Sequence, residues 1–137
     1  MKYRIIVSAV IFKEALILLG RKEKDRGPYP NTWHIPGGGV DLEKETCDEA
    51  VVREVREETC LEVKNLEKIH WDTGVEPSKH GEMTYYIFLV YRCEYEKGDL
   101  VASDDLEQLE WVAIGNLKNY TLSNPTALLF KKINLLN

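Results

Sequence analysis

Short apolar blocks alternate with polar breaks along this chain. Residues 3–12, YRIIVSAVIF, are almost continuously apolar and rich in β-branched side chains, which predicts a mostly buried strand. Lys13 and Glu14 interrupt it as a turn, and residues 15–21, ALILLGR, resume as a second strand and its hairpin partner. Residues 22–32 are polar and proline-bearing and predict a loop. Residues 33–35, WHI, form a short strand leading into three consecutive glycines. Further strands are predicted over 61–73 and 82–95, with a polar loop over 74–81, and a shorter strand over 106–114. Residues 46–59 follow a helical rhythm instead, with Thr46 placed as N-cap and Glu49 completing a capping box. Residues 123–136 predict a closing helix with Ser123 or Asn124 as its cap and Pro125 at its first position. No repeat, low-complexity tract or linker divides the pattern, so one α/β domain is expected over residues 1–137.

The helix over 46–59 breaks the usual rule of amphipathicity. At about 100° per residue, Cys47, Ala50, Val51 and Val55 form an apolar stripe. Glu54 and Glu58 fall in the middle of that stripe and Glu57 at its edge, where an ordinary surface helix would be apolar. Carboxylates four residues apart repel, and burial raises the cost unless a positive charge compensates. A divalent cation does so, since carboxylate oxygens are hard ligands suited to Mg²⁺ or Mn²⁺. A solvated Glu/Arg face is the competing reading. The glycines just upstream, Gly37, Gly38 and Gly39, permit positive φ and close approach of backbone to ligand: carbonyls there could complete a metal shell and amides could meet phosphate oxygens. A plain tight turn after Pro36 is the simpler alternative.

Composition narrows the function. The net charge of −5 argues against broad electrostatic binding to nucleic acid or membranes. It also means that a polyanionic ligand needs local positive charge, from a few basic residues or a bound cation. Cys47, Cys60 and Cys93 lie too far apart for a Cys-x-x-Cys zinc site or a disulfide framework, and reduced thiols in a cytoplasmic protein are expected. The early apolar run is interrupted by Lys13 and Glu14, so neither a signal peptide nor a membrane span is expected. His34, His70 and His80 show no ligand spacing.

Taken together, Gly39, Glu45, Arg53, Glu54, Val55, Glu57, Glu58 and Leu61 resemble the signature of the Nudix hydrolases, Gly-x5-Glu-x7-Arg-Glu-U-x-Glu-Glu-x-Gly-U, with U a bulky aliphatic residue. Only Cys60 departs, standing where the family has glycine and where the helix should end in a left-handed residue. Family loops run Pro-Gly-Gly with the second glycine opening the signature. Here the count works from Gly39, so the third glycine absorbs a one-residue insertion, and Gly38 is the carbonyl favoured to face the metal. The resemblance extends to the upstream WHIPGG and the downstream LEWV.

The resemblance implies a Nudix-type α/β/α sandwich around a mixed sheet. It also implies metal-dependent attack of water on a pyrophosphate bond of a nucleoside diphosphate linked to another group. By the same carry-over, Glu54, Glu57 and Glu58 ligate Mg²⁺ (Mn²⁺ as substitute), and Glu54 or Glu58 deprotonates the attacking water. Arg53 and Glu45 form an ion pair bracing loop against helix. Arg21 and Lys22 are candidates for phosphate contact or for a solvated loop start. Asp104 and Asp105 are candidates for a further metal ligand or for plain loop acids, with Asp105 the one assigned to the metal. The compact chain resembles nucleoside triphosphate pyrophosphohydrolases, including those acting on oxidised nucleotides, with Asn124 as a candidate base reader or a simple helix start. Pro77 matches a spacing in ADP-ribose-hydrolysing members, so an ADP-ribose or nucleotide-sugar pyrophosphatase is the alternative. Trp33, Tyr85 and Phe88 could stack on a base or belong to the core. A non-catalytic nucleotide- or RNA-binding module would have shed the carboxylates retained here, and a metal-dependent isomerase would act without cleaving a phosphate bond. The expected partner is a nucleotide-derived small molecule, with no nucleic acid and no membrane; a homodimer is open, as in many relatives.

Overall fold

A computed structural model describes residues 1–22, 31–103 and 106–137. Its elements are β1 (Lys2–Lys13), β2 (Leu16–Lys22), β3 (Trp33–His34), β4 (Gly37–Gly39), α1 (Cys47–Thr59), β5 (Glu62–Pro77), β6 (Met83–Lys97), β7 (Leu106–Ala113), a 3₁₀ turn (Ile114–Asn119) and α2 (Asn124–Lys132). The strands form a seven-stranded sheet in the order β3-β2-β1-β6-β5, with β4 also on β1 and β7 also on β2. The sheet is mixed, because β1 runs parallel to β6 while the other pairs are antiparallel.

The near-continuous apolar run of β1 reflects burial on both faces. Val7, Ala9 and Ile11 pack with Ala50, Val51 and Val55 of α1, whereas Val10 and Phe12 pack with Phe130 of α2. Alternate residues of one strand thus feed two cores, the period-two geometry of a sheet covered on both sides. The α/β/α sandwich expected from the sequence is the observed architecture. The expected hairpin between β1 and β2 is present but short, pairing only Phe12 with Ile17 and Lys13 with Leu16. The same edge of β1 is then taken by β4, with Ile6, Val7 and Ser8 opposite Gly39, Gly38 and Gly37.

Three boundaries differ from expectation. The predicted loop over 74–81 is mostly strand: β5 runs to Pro77 and β6 starts at Met83, leaving a turn closed by the Ser78 amide on the Glu82 carbonyl. Gly74 and Pro77 read as breakers, yet β5 is a sheet edge, where proline is tolerated. Ser123 is the cap of α2, which moves Pro125 to the second helical position. That helix also stops at Lys132, because Asn134 turns left-handed at φ 63° and sends the amides of Leu135 and Leu136 back to the Phe130 carbonyl. Among the described residues no helix is long and apolar enough to cross a membrane.

The helix α1 forms as its sequence predicts. The Thr46 side chain accepts from the Glu49 amide while the Glu49 carboxylate accepts from the Thr46 amide. At its other end Cys60 adopts φ 63°, ψ 16°, the left-handed conformation that costs a side-chain-bearing residue roughly 1–2 kcal/mol. Replacement Cys60→Gly should therefore raise stability by about 1 kcal/mol, once glycine's greater freedom in the unfolded chain is allowed for. Urea denaturation reads this directly; a loss of stability would show that the Cys60 side chain contributes more than its backbone costs.

Candidate active site

The site is built on α1 and β4. The wheel position of the glutamates holds: Ala50, Val51, Val55 and Glu58 are buried, Glu58 at 8% exposure. The Glu54 side chain is 13% exposed, while Glu57 at 46% reaches solvent. Burial is tolerated because each carboxylate is met by donors. The Gly37 amide donates to Glu58 Oε1 at 2.8 Å. The Arg53 guanidinium donates through NH1 to Glu54 at 3.0 Å and to Glu57 at 3.1 Å. Its Nε and NH2 donate to the two oxygens of Glu45 at 2.9 and 2.7 Å, and NH2 also reaches the Gly39 carbonyl at 3.0 Å. The expected Glu45–Arg53 pair is thus observed as a bidentate bridge, the strong geometry for arginine and carboxylate.

Electrostatics follow from these contacts. The Arg53 hydrogen bonds, with the Asp41 amide, hold Glu45 down from an ordinary 4.5 to about 2. Arg53 is pushed up in turn, chiefly by Glu45. Asp48, on the outer side of α1, is held low by Tyr91 and Lys68, which tie the helix to β6 and β5.

The three glycines form a strand rather than a turn, and none of them has positive φ. Close approach is what requires them. A Cβ on Gly38 would stand 2.5 Å from the Glu54 carboxyl, one on Gly37 would collide with Val7 and Ser8, and one on Gly39 would overlap the Arg4 guanidinium. The bonds of Ala9 to Pro36 and of Val40 to Ile5 set the ladder's alternation, which makes Val7 and Gly38 the hydrogen-bonded pair between them. One lone pair of the Gly38 carbonyl is therefore engaged by β1. The Gly37 amide, expected on a phosphate, sits on Glu58, and the Gly39 carbonyl sits on Arg53.

Other expected residues lie apart from this cluster. Arg21 binds Gln108, Asn31 and Glu107 on the β2–β7 side. The Lys22 amide bonds the Thr32 carbonyl. Asn124 is exposed in the first turn of α2, beside the buried cap Ser123. Trp33 meets Tyr120 edge-on at 5.2 Å, Phe88 stacks on Tyr86 at 5.7 Å, and Tyr85 is exposed. Asp104 and Asp105 lie outside the described residues. Sequence reasoning passed over Arg4; the available signal was that it is the one charged residue in the apolar run 3–12.

Among the described residues no three His, Cys, Asp or Glu side chains converge to hold a metal ion. Glu54 and Glu57 accept from Arg53, and Glu58 accepts from the Gly37 amide. The donor chemistry nevertheless suits a hard divalent cation, with carboxylate oxygens on adjacent turns of one helix facing a strand without side chains.

A NUDIX domain model matches residues 2–132. The chain is 32% identical over 142 residues to the nucleoside triphosphatase NudI of Klebsiella pneumoniae strain 342, covering 99% of this chain and 100% of that one. It is 30% identical to NudI of Escherichia coli K12/DH10B, over 92% of this chain and 93% of that one. Among solved structures it resembles the MutT NUDIX hydrolase of Burkholderia pseudomallei, with TM-score 0.80, 24% identity and coverage of 97% and 99%. It also resembles the NUDIX domain of Shewanella oneidensis NrtR in complex with ADP ribose, with TM-score 0.78, 16% identity and coverage of 98% and 88%.

The Glu45 shift has a testable sign. Because its folded value lies below the ordinary one, its contribution to stability is complete above about 4.5 and is lost as pH falls toward about 2. Carbon-detected NMR titration should find the Glu45 midpoint at about 2 in the native protein and near its ordinary value in Arg53→Met. An unchanged titration in that variant would show that Arg53 is not the cause.

Proposed function

The chain belongs to the Nudix hydrolase family, and on that premise we propose that its substrate is a nucleoside triphosphate, ordinary or oxidised, cleaved to monophosphate and pyrophosphate with Mg²⁺ or, as a substitute, Mn²⁺. Hydrolysis of a pyrophosphate bond comes with the family. The triphosphate reading is carried by one observation, the similarity along nearly the full length of both chains to a nucleoside triphosphatase.

Glu54, Glu57 and Glu58 are the residues that would hold the cation, with the second lone pair of the Gly38 carbonyl as a further donor. When bound, such a cation neutralises phosphate charge and lowers the pKa of a bound water. The protein's own groups do the rest. Arg53 fixes Glu45 and Gly39 through Nε and NH2 while its NH1 holds Glu54 and Glu57, so those two carboxylates can exchange partners without releasing the loop. Gly37 orients Glu58 toward the strand. Glu54 or Glu58, the two on the buried stripe, accepts the proton of the attacking water. The bare glycine strand lets the phosphate chain approach the helix. The free state of Cys47, Cys60 and Cys93 is consistent with a reducing, cytoplasmic setting.

The test is incubation with Mg²⁺ and a panel of nucleoside triphosphates, oxidised nucleotides, ADP-ribose and nucleotide sugars, with products separated by ion exchange. Monophosphate plus pyrophosphate from a triphosphate is expected; AMP plus ribose phosphate as the main product would replace the substrate with ADP-ribose. Glu57→Gln and Glu58→Gln should each cut turnover by about 100-fold, the upper end of what even the supporting partners of metal ligands contribute. Both should also weaken the rise in melting temperature that Mg²⁺ gives the native protein. Near-normal turnover in either variant would remove that residue from the metal set.

A further inference from the structure

Arg4 stands at the exposed start of β1 with its guanidinium lying over Gly39. Among the described residues it has no hydrogen-bond or ion-pair partner. On its other side it lines a surface pocket of about 660 Å³ together with Lys2, Leu42, Lys79, His80 and Glu82. Lys2 is paired with Glu82 at 2.9 Å, whereas Arg4 and Lys79 are cations of this pocket that no described carboxylate neutralises. Leu42 belongs to the loop between β4 and α1, and Arg4 both lines the pocket and lies over Gly39. In a chain of net charge −5 this is a local positive excess beside a cluster of carboxylates. Arg53 is engaged by Glu45, Glu54, Glu57 and Gly39, and Arg21 by Gln108, Asn31 and Glu107.

We propose that Arg4, assisted by Lys79, holds a phosphate of the substrate that extends past Gly39, away from the glutamate helix. The inference rests on the phosphate-anhydride reading of the site. A guanidinium presents a planar fork that matches two phosphate oxygens, and Lys79, on the β5–β6 turn and lining the same pocket, adds a point charge. Gly39 is the hinge of the arrangement, since its carbonyl serves Arg53 and its Cα lies under Arg4, leaving no side chain between the two arginines.

The experiment compares steady-state kinetics of the native protein, Arg4→Gln, Arg4→Lys and Lys79→Gln on the best triphosphate. Arg4→Gln should raise KM about 10-fold with kcat falling less than about 3-fold, the split expected when binding rather than chemistry is lost. Arg4→Lys should recover part of the loss, and the rise of KM with salt should flatten in both glutamine variants. In parallel, tripolyphosphate is titrated into ¹⁵N-labelled native protein, where shifts at Arg4, Gly39 and Lys79 are expected. A KM within about 2-fold of native in Arg4→Gln, or tripolyphosphate shifts confined to other residues, would overturn the assignment. Should the native protein cleave no triphosphate, the substrate reading falls by itself, and the tripolyphosphate titration alone decides whether this pocket binds phosphate.

Discussion

The guanidinium of Arg53 is the junction on which the site depends. All five of its N–H groups have acceptors: the two Glu45 oxygens, the Gly39 carbonyl, Glu54 and Glu57. These acceptors come from three different places, the loop before α1, the strand β4 and the helix itself. One rigid planar group therefore sets the distance between the glycine strand and the glutamate helix. A lysine has the charge but not the fork, so it could not hold loop, strand and helix together. The spacing in sequence follows from this geometry: Glu45 directly precedes the Thr46 cap, and Arg53 lies two turns into α1 on the side that faces back to it.

A second constraint is the thinness of β4. The strand is wedged between Glu54 on one face and Arg4 on the other, with β1 along its edge. Side chains at these positions would push the helix carboxylates or Arg4 away, so the glycines set how near charge can come to the backbone. The neighbouring strand β1 is fully apolar from Ile5 to Val7 and again from Ala9 to Phe12, feeding both cores, and so gives β4 a rigid partner. The same sheet that closes the hydrophobic layers thereby holds the one stretch of chain without side chains against the helix.

Much of this was legible in the sequence because it is local. The capping box of Thr46 and Glu49 and the carboxylates on the apolar stripe involve residues within a few turns of each other, while the left-handed Cys60 and the Glu45–Arg53 pair were expected from the family resemblance. The parts that were not legible depend on partners remote in sequence. Arg21 looked free for phosphate, but its acceptor Gln108 comes from β7. Gly74 and Pro77 looked like a loop because the edge position that excuses them is a property of the sheet order. The glycine run suggested positive φ, whereas pairing with β1 pulls it into an extended strand. Arg4 carried no spacing signal at all, and only the register of β1 against β4 places it over Gly39.

The distribution of charge shows why the carboxylates can stay so close together. Within the Arg53 cluster one positive charge faces Glu45, Glu54 and Glu57, and the pairing is uneven. Glu45 receives two hydrogen bonds in a bidentate bridge, which hold its pKa down to about 2. Glu54 and Glu57 share the single remaining nitrogen. On the proposed metal reading, a cation taken by Glu54 and Glu57 would compete with the NH1 end of the fork and leave the Glu45 end in place. Exchange of partners at NH1 would therefore leave the separation of strand and helix set by Glu45 and Gly39. Such an arrangement keeps Glu54 and Glu57 compensated by Arg53 and would free them to a cation while the Glu45 end of the fork stays in place.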